Sequence, residues 1–366
     1  MEKIYIFDML GGLKGVFEYI KQSYQLKSLA YVYTPYTHKS SLYYKSLRRT
    51  YIASKVGILN FIKSLISKDS IILADHYGHN FNKISHEITF INHGWGTKKW
   101  PGNNEIKNEA LMNTRRELFM SVSYIICLSE FDATYFGRHP YLDDLKRPKF
   151  LPLGLPRNDF LVKNRNNMSF REELLKKFQL NENCKLILYA PTHREMDELN
   201  AKLLSRILNE FEKIDHYLKE KKIVILFRPH YYTSGIEREI KRFQNIFYVG
   251  YDKFEDPRPL LLGCDYLLTD YSSIFVDYLL LQKPVVFYPF DLEEYETLRG
   301  LAIDFKNKIH TPGPKINSLE ELSELSDADF KDFDLNTSMC FFHKYSDGRS
   351  TERISEFLIN RISGGN

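Results

Sequence analysis

Short apolar runs of strand length recur along the whole chain. Each is followed by a polar or glycine-containing turn and then by a stretch of helical spacing. Lys3–Asp8 (KIYIFD) leads into Gly11-Gly12 and a helical pattern to about Ser23. Ser28–Thr34, Ser70–Ala74, Glu87–Asn92 and Tyr124–Ser129 are strands of the same kind, with a helix over Asn113–Val122. Short apolar strands alternating with helices predict a parallel sheet covered by helices. Ser40–Ser67 mixes basic, aromatic and aliphatic residues at roughly helical spacing and reads as a further helix.

A second series follows. Its strands are Lys185–Tyr189, Ile223–Phe227, Ile246–Val249, Tyr266–Thr269 and Val285–Tyr288. Its helices are Met168–Phe178, Asn200–Lys221, Ile236–Phe243, Ser273–Leu281 and Leu319–Leu325, and a last helix covers Ser350–Ile362. Between the series, Gly154–Asn167 (GLPRNDFLVKNRNN) is poor in apolar residues and reads as an inter-domain linker. At 366 residues the chain is too long for one ordinary core. The predicted fold class is therefore α/β, two doubly wound Rossmann-like domains facing across a cleft. The domains are 1–155 and 168–345, with a C-terminal helix in 346–366 packing back across them. Ligands of open parallel sheets sit beyond the carboxyl ends of the strands, so the polar residues there are the candidates.

Hydrophobic residues are 43% and charged residues 27%, which excludes disordered, collagen-like and membrane-embedded classes. Four dispersed cysteines with no CxxC pair read as reduced thiols, neither a disulfide framework nor a zinc site. The first residues, MEKIYIFDMLGG, do not read as a signal peptide, and no uninterrupted apolar stretch reaches the roughly 18 residues expected of a membrane span. The expected location is cytoplasmic, compatible with peripheral attachment to the inner face of the plasma membrane. The net charge of +4 is unevenly spread: residues 1–100 hold 14 Lys/Arg against 6 Asp/Glu, and residues 101–366 hold 37 against 41. Between Glu18 and Asp69 lie nine basic residues and no acidic one, a candidate surface for an anionic partner. No nucleic-acid-binding module accompanies it, so nucleic acid is not the expected partner.

Five post-strand turns concentrate chemistry. Asn92-His93-Gly94-Trp95-Gly96-Thr97-Lys98-Lys99 offers a histidine suited to general-base work, or else a turn with a capping histidine. Pro191-Thr192-His193-Arg194 groups hydroxyl, imidazole and guanidinium, or is a turn with solvated charges. In Arg228-Pro229-His230 the two functional side chains alternate about a proline, and the arginine suits phosphate oxygens or a structural ion pair. Thr269-Asp270-Tyr271-Ser272-Ser273 opens a helix, as an anion site or an ordinary cap. Phe290–Tyr295 is followed by Arg299-Gly300, with Arg299 a further phosphate candidate. No GxxxxGK[ST], GxGxxG after a strand, HExxH or post-strand DxD occurs, which argues against kinase, ATPase, dehydrogenase and metal-site readings.

Taken in order, these segments resemble the CDP-glycerol glycerophosphotransferase family, the teichoic acid primases and polymerases. TDYSSIFVDYLLLQKPVVFYPFDLEEYETLRG, residues 269–300, is similar to that family's TDYSS-helix-GKP-strand-DLE…RG signature. LYAPTHR resembles its YAPTWR, RPH its R-x-H-P, and HKYSDGRSTERI, residues 343–354, its D-G-x-A-x-x-R ending. The resemblance runs from about residue 88 to the end. It implies a GT-B-like fold and transfer of a polyol phosphate from CDP-glycerol or CDP-ribitol to a hydroxyl of a lipid-linked saccharide or polyol phosphate polymer, with release of CMP. It makes His93 the catalytic base and places His230 near the donor pyrophosphate. Thr269, Ser272, Ser273 and Arg299 match donor-phosphate contacts, with Thr192, Arg228 and Asp270 in the same donor motifs. The family's HGTPLK reads HGWGTKK here, so Gly94, Thr97 and Lys98 are acceptor-side candidates without a settled role. Tyr231 stands where its R-x-H-P has proline. No cofactor is demanded, and Mg²⁺ is allowed as an aid.

Two other readings stay open: a GT-B glycosyltransferase using a nucleotide sugar, and a non-catalytic module that binds an anionic polymer or lipid. With lipid-linked acceptors, the acid-free block gains a specific expectation. Lys45, Arg48, Arg49 and Lys55, among Tyr43, Tyr44, Tyr51 and Phe61, suit an interfacial helix on an anionic leaflet, or a core-packed helix with a basic solvent face.

Overall fold

The computed structural model describes residues 3–8, 12–26, 28–33, 51–54, 70–75, 87–91, 96–137, 148–194, 196–230 and 236–363. They form two compact units: 1–96 with 100–162 and 340–366, and 97–99 with 163–339.

The first unit contains β1 (Lys3–Asp8), α1 (Lys14–Ser23), β2 (Ser28–Tyr33), β3 (Tyr51–Ser54), β4 (Ile71–Ala74), β5 (Glu87–Ile91), α2 (Glu109–Ser121), β6 (Tyr124–Ile126), α3 (Glu130–Gly137), β7 (Lys149–Leu151) and α4 (Pro156–Asn164). Its seven strands are ordered β3-β2-β1-β4-β5-β6-β7 and are parallel, except that β3 runs antiparallel to β2. β1 and β4 are almost wholly apolar because helices cover both faces of a parallel sheet. Tyr5, Phe7, Ile72, Phe90 and Phe119 are among the side chains of its core.

Two expectations are corrected in this unit. Residues 51–54, inside the span read as a helix, are an edge strand whose Tyr51 pairs with Tyr33. Tyr51-Ile52-Ala53 combines aromatic and β-branched types that suit a strand, and tertiary pairing overrides the helical spacing. Lys45, Arg48, Arg49 and Lys55 lie outside the described residues. The segment read as a linker contains the unit boundary between Val162 and Lys163, but it is largely helical, as α4, with Leu161 buried and Pro156 at its first position, where a missing N–H costs nothing.

The second unit contains α5 (Ser169–Phe178), β8 (Lys185–Ala190), α6 (Asp197–Glu220), β9 (Ile223–Phe227), α7 (Glu237–Ile240), β10 (Ile246–Tyr248), α8 (Arg258–Gly263), β11 (Tyr266–Thr269), α9 (Ile274–Leu279), β12 (Val285–Phe287), α10 (Leu292–Leu298) and α11 (Leu335–Phe342). Its five strands are all parallel, in the order β10-β9-β8-β11-β12. α6 buries Leu203, Ile207, Phe211, Ile214 and Leu218, a spacing of three and four that makes one apolar stripe. That stripe packs on Tyr189, Ile225 and Phe227. Leu319–Ser323, expected as an α-helix, is a 3-10 turn opened by a Ser318–Glu321 capping box.

The unit boundary falls inside α11, and the chain returns to the first unit with α12 (Ser350–Ile362). There α12 packs beside α1, and the Asp159 carboxylate of α4 accepts the backbone N–H groups of Ser350 and Thr351, both at 2.8 Å. A carboxylate is well placed at a helix amino terminus, where free donors and the dipole both favour negative charge. Among the described residues, no helix is long and apolar enough to cross a membrane.

Candidate active site

In the second unit the chain winds one way through β8, β9 and β10, then crosses to the other side of β8 to form β11 and β12. Strand order therefore reverses between β8 and β11, and the crevice beyond their carboxyl ends is the natural ligand position of such a sheet. The turn after β8 is Pro191-Thr192-His193-Arg194, and the turn after β11 is Asp270-Tyr271-Ser272-Ser273. Two segments that are far apart in sequence thus meet at the switch point.

Asp270 joins them. Its Oδ1 accepts the backbone N–H of Thr192 at 2.7 Å and that of Tyr271 at 2.6 Å, and its Oδ2 accepts Arg194 Nη1 at 3.0 Å. Asp270 is 1% exposed, and both of its carboxylate oxygens are taken up by these groups of its own protein. Arg194 is equally committed. Nη1 also donates to the Thr192 carbonyl at 2.6 Å, while Nε and Nη2 form a two-bond fork on Asp291, both at 2.8 Å. Tyr271 Oη donates to Asp291 as well, and the guanidinium lies 5.1 Å from the Tyr271 ring and 5.0 Å from the Tyr295 ring. Burial alone would lower the pKa of Arg194, but the carboxylates of Asp270 and Asp291 reverse this and raise it, fixing the charge.

Thr269 Oγ1 donates to Ala190 O at 2.7 Å and pins β11 to β8. Thr192 Oγ1 is buried without a hydrogen-bond partner among the described residues. Ser272 Oγ accepts the Ile274 N–H at a long 3.4 Å, and Ser273 makes no side-chain cap. With only six residues, α9 contributes little dipole, so the two hydroxyls rather than the helix end are the polar resource of this turn.

His193 and His230 follow neighbouring strands, and their rings stack with centroids 5.4 Å apart and planes 23° from parallel. Arg228, expected to meet phosphate, donates from Nη1 to Val249 O at 2.9 Å and Phe254 O at 2.7 Å. It holds the loop after β10, and burial pulls its pKa down to about 10. Arg299 Nη1 donates to Lys99 O at 2.6 Å. Lys99 N–H in turn donates to Gly300 O, Ala302 N–H to Thr97 O, and Thr97 Oγ1 to Tyr271 O at 3.1 Å. Thr97–Lys99 is thus a strap bound to the Arg299–Ala302 segment, with Lys98 bridged to Leu301. Gly300, at φ +79°, turns the chain there in the left-handed region that favours glycine.

In the first unit, His93 and Gly94 lie outside the described residues. Just after them, Gly96 has φ +104°, and a Cβ there would stand 3.2 Å from Asp132 Oδ1. Asp132 is buried, accepts the Leu128 N–H at 3.1 Å, and has its pKa pushed up to about 7 by burial. At this unit's own switch point, Asp8 ends β1 and Asp75 follows β4. Asp8 accepts Gly12 N–H, Leu13 N–H and Tyr31 Oη, and burial together with the Asp75 carboxylate raises its pKa to about 6. In the D-G-x-S-x-x-R ending the polar groups bond within the first unit. Arg353 Nη1 grips both oxygens of Asp347 at 2.9 and 2.7 Å, and Arg353 Nε donates to Leu153 O.

Among the described residues, no group of three or more His, Cys, Asp or Glu side chains could hold a metal ion. Sequence reasoning singled out the PTHR turn and the Phe290–Tyr295 segment but assigned no role to His193, Arg194 or Asp291. The signal available was their shared position after neighbouring strands.

A family model described as CDP-Glycerol:Poly(glycerophosphate) glycerophosphotransferase matches residues 9–360. The chain is similar to the teichoic acid ribitol-phosphate polymerase TarK of Staphylococcus aureus, 28% identical over 59% of this chain and 42% of TarK. It is also similar to the teichoic acid glycerol-phosphate primase of Bacillus subtilis, 27% identical over 96% of this chain and 89% of the primase. The chain thus spans less than half of TarK but most of the primase. Among solved structures, the wall teichoic acid polymerase TagF matches with a TM-score of 0.70 and 21% identity, over 98% of this chain and 89% of that one. The two doubly wound units are those of a GT-B-type fold.

Proposed function

Because this chain belongs to the CDP-glycerol:poly(glycerophosphate) glycerophosphotransferase family, we propose that it transfers a polyol phosphate from a CDP-activated donor to a hydroxyl of a growing teichoic acid, releasing CMP. Glycerol phosphate and ribitol phosphate are both candidate cargoes, since relatives named for each are similar to this chain. The observation that carries the reading is the meeting of the PTHR and TDYSS turns at the switch point of the second unit, joined through Asp270. In this proposal the second unit binds the donor and the first unit receives the acceptor.

The acceptor hydroxyl attacks the β-phosphorus. A bond forms from that oxygen to the β-phosphorus, the bond from the β-phosphorus to the bridging oxygen breaks, and CMP leaves with the bridging oxygen. His93 takes the hydroxyl proton. Charge grows on the phosphate oxygens and is met by His230 and His193, with Thr192, Ser272 and Ser273 as hydroxyl donors. Positioned donors and cations supply most of the catalysis in such transfers. Losing one costs about 3 kcal/mol, or roughly 10²- to 10³-fold in rate.

The proposal extends to a lipid-linked acceptor and to attachment of the basic block at the inner face of the plasma membrane. Reversal of Arg48, Arg49 and Lys55 to Glu then releases the protein from anionic vesicles; unchanged vesicle binding removes that extension. For the chemistry, the wild-type chain releases CMP from CDP-glycerol or CDP-ribitol, and His93→Ala nearly abolishes release while CDP binding persists. Full turnover in that variant overturns the assignment of the base.

A further inference from the structure

The crevice at the second unit's switch point is built on carboxylates. Asp270 and Asp291 hold the turns after β8, β11 and β12, yet under the proposed function this crevice accepts a pyrophosphate. Two negative charges, Asp270 buried and Asp291 partly buried, repel a dianionic ligand beside them, because the low dielectric leaves them poorly screened. One cation lies between them. Arg194 is 3% exposed and takes both carboxylates at once, with a two-bond fork on Asp291 and one bond to Asp270. Its guanidinium also meets the Thr192 carbonyl and the rings of Tyr271, Tyr295 and Phe290. All its polar atoms point into the protein, so it does not meet ligand directly.

We infer that Arg194 is a positioning and charge-balancing residue for the donor site: its single positive charge offsets one of the two negative charges of the carboxylates that hold the switch-point turns, so that a nucleoside diphosphate can be bound where the uncompensated pair would repel it. This rests on the donor-site reading of the proposed function. Arg194 acts through Asp270, which sets the Thr192 and Tyr271 N–H groups, and through Asp291, which sets the Tyr271 hydroxyl. Guanidinium is suited to the task because its planar fork serves two carboxylates in fixed directions and keeps its charge when buried.

The test compares a charged with an uncharged form of the same nucleoside. CDP and cytidine binding are measured by calorimetry on the full chain, well below each variant's melting temperature. In Arg194→Met, CDP affinity falls roughly ten- to hundred-fold while cytidine affinity changes roughly three-fold at most. Adding Asp291→Asn removes the excess negative charge, and the double variant binds CDP more tightly than Arg194→Met alone. Arg194→Lys keeps the charge and loses the fork, so it retains the wild-type ratio of CDP to cytidine affinity at a lower melting temperature. Equal losses of CDP and cytidine in Arg194→Met, or a double variant weaker than the single one, overturn the inference alone. A wild-type chain that binds no CDP overturns the donor-site reading and this inference with it. If Arg194→Met does not fold, the Arg194→Lys ratio decides: an unchanged ratio supports charge balance, and a ten-fold fall contradicts it.

Discussion

Thr97 Oγ1 donates a hydrogen bond of 3.1 Å to the main-chain oxygen of Tyr271, across 174 residues of sequence. Thr97 is 1% exposed and stands four residues after His93, and Tyr271 lies in the turn after β11. The strap that follows the proposed base in sequence is thereby fastened to the turn that carries Ser272 and Ser273, the proposed donor-side hydroxyls.

Thr97→Val keeps the volume and removes this bond, leaving a buried carbonyl with one donor fewer. The expected cost is about 1–2 kcal/mol of stability. Because the strap continues from the His93 segment, CMP release falls by about ten-fold while CDP affinity holds. Steady-state kinetics beside calorimetry check this, and unchanged turnover removes the strap from catalysis.

Gly154 has φ +83°, and a Cβ there would stand 2.5 Å from Ser350 Oγ and 3.3 Å from Ser350 Cβ. Gly154→Ala therefore combines backbone strain with a clash at the amino end of α12, and about 2–4 kcal/mol is lost. Pairing it with Ser350→Gly relieves the clash but not the strain. Denaturant melts of the double variant accordingly lie between wild type and Gly154→Ala.

Stability falls as pH rises from about 4 towards about 7, because the folded chain holds the Asp132 proton that the unfolded chain has already released. A raised acid contributes its full stability below its ordinary pKa and loses it on passing its folded value. Within the window the slope is roughly 1.4 kcal/mol per pH unit. Cys127 couples electrostatically to Asp132, and it stays a thiol because burial raises it well above its ordinary value. Asp8, raised to about 6, titrates in the lower part of the same range. Asp132→Asn keeps an acceptor for Leu128 N–H and removes the ionisation. Its melts lose the slope between pH 6 and 7, whereas a retained slope assigns that titration elsewhere.

Arg353 pairs with Asp347 and lies 3.9 Å over the Tyr345 ring. Arg353→Met should cost about 1–2 kcal/mol of stability and leave CDP affinity untouched. A selective loss of CDP binding would place this ending in the donor site after all.

Much of the strand series was legible because buried parallel strands such as Ile223–Phe227 are uniformly apolar and end in abrupt polar turns. α12 was legible to the residue, since Ile354, Leu358 and Ile362 repeat at helical spacing. β7 was not, because three residues with Lys149 exposed carry no strand signature. α4 was hidden by its composition: buried Asn158 and Asp159 resemble turn residues, and the pairing of Asp159 with α12 explains the place of Asp159. At the site, residue types and positions were visible, but their division of labour was not. Asp270, Arg228 and Arg299 were expected on the donor, and they bind main chain or other side chains. A linear motif does not say which way a side chain faces.

The most direct measurement is the identity of the nucleotide released and the mass gained by the acceptor when the purified chain is given CDP-glycerol, CDP-ribitol and a polyol phosphate polymer. The account predicts CMP and an acceptor heavier by one or more polyol phosphate units. A nucleoside diphosphate with sugar transfer, or an acceptor unchanged with every donor, would contradict it.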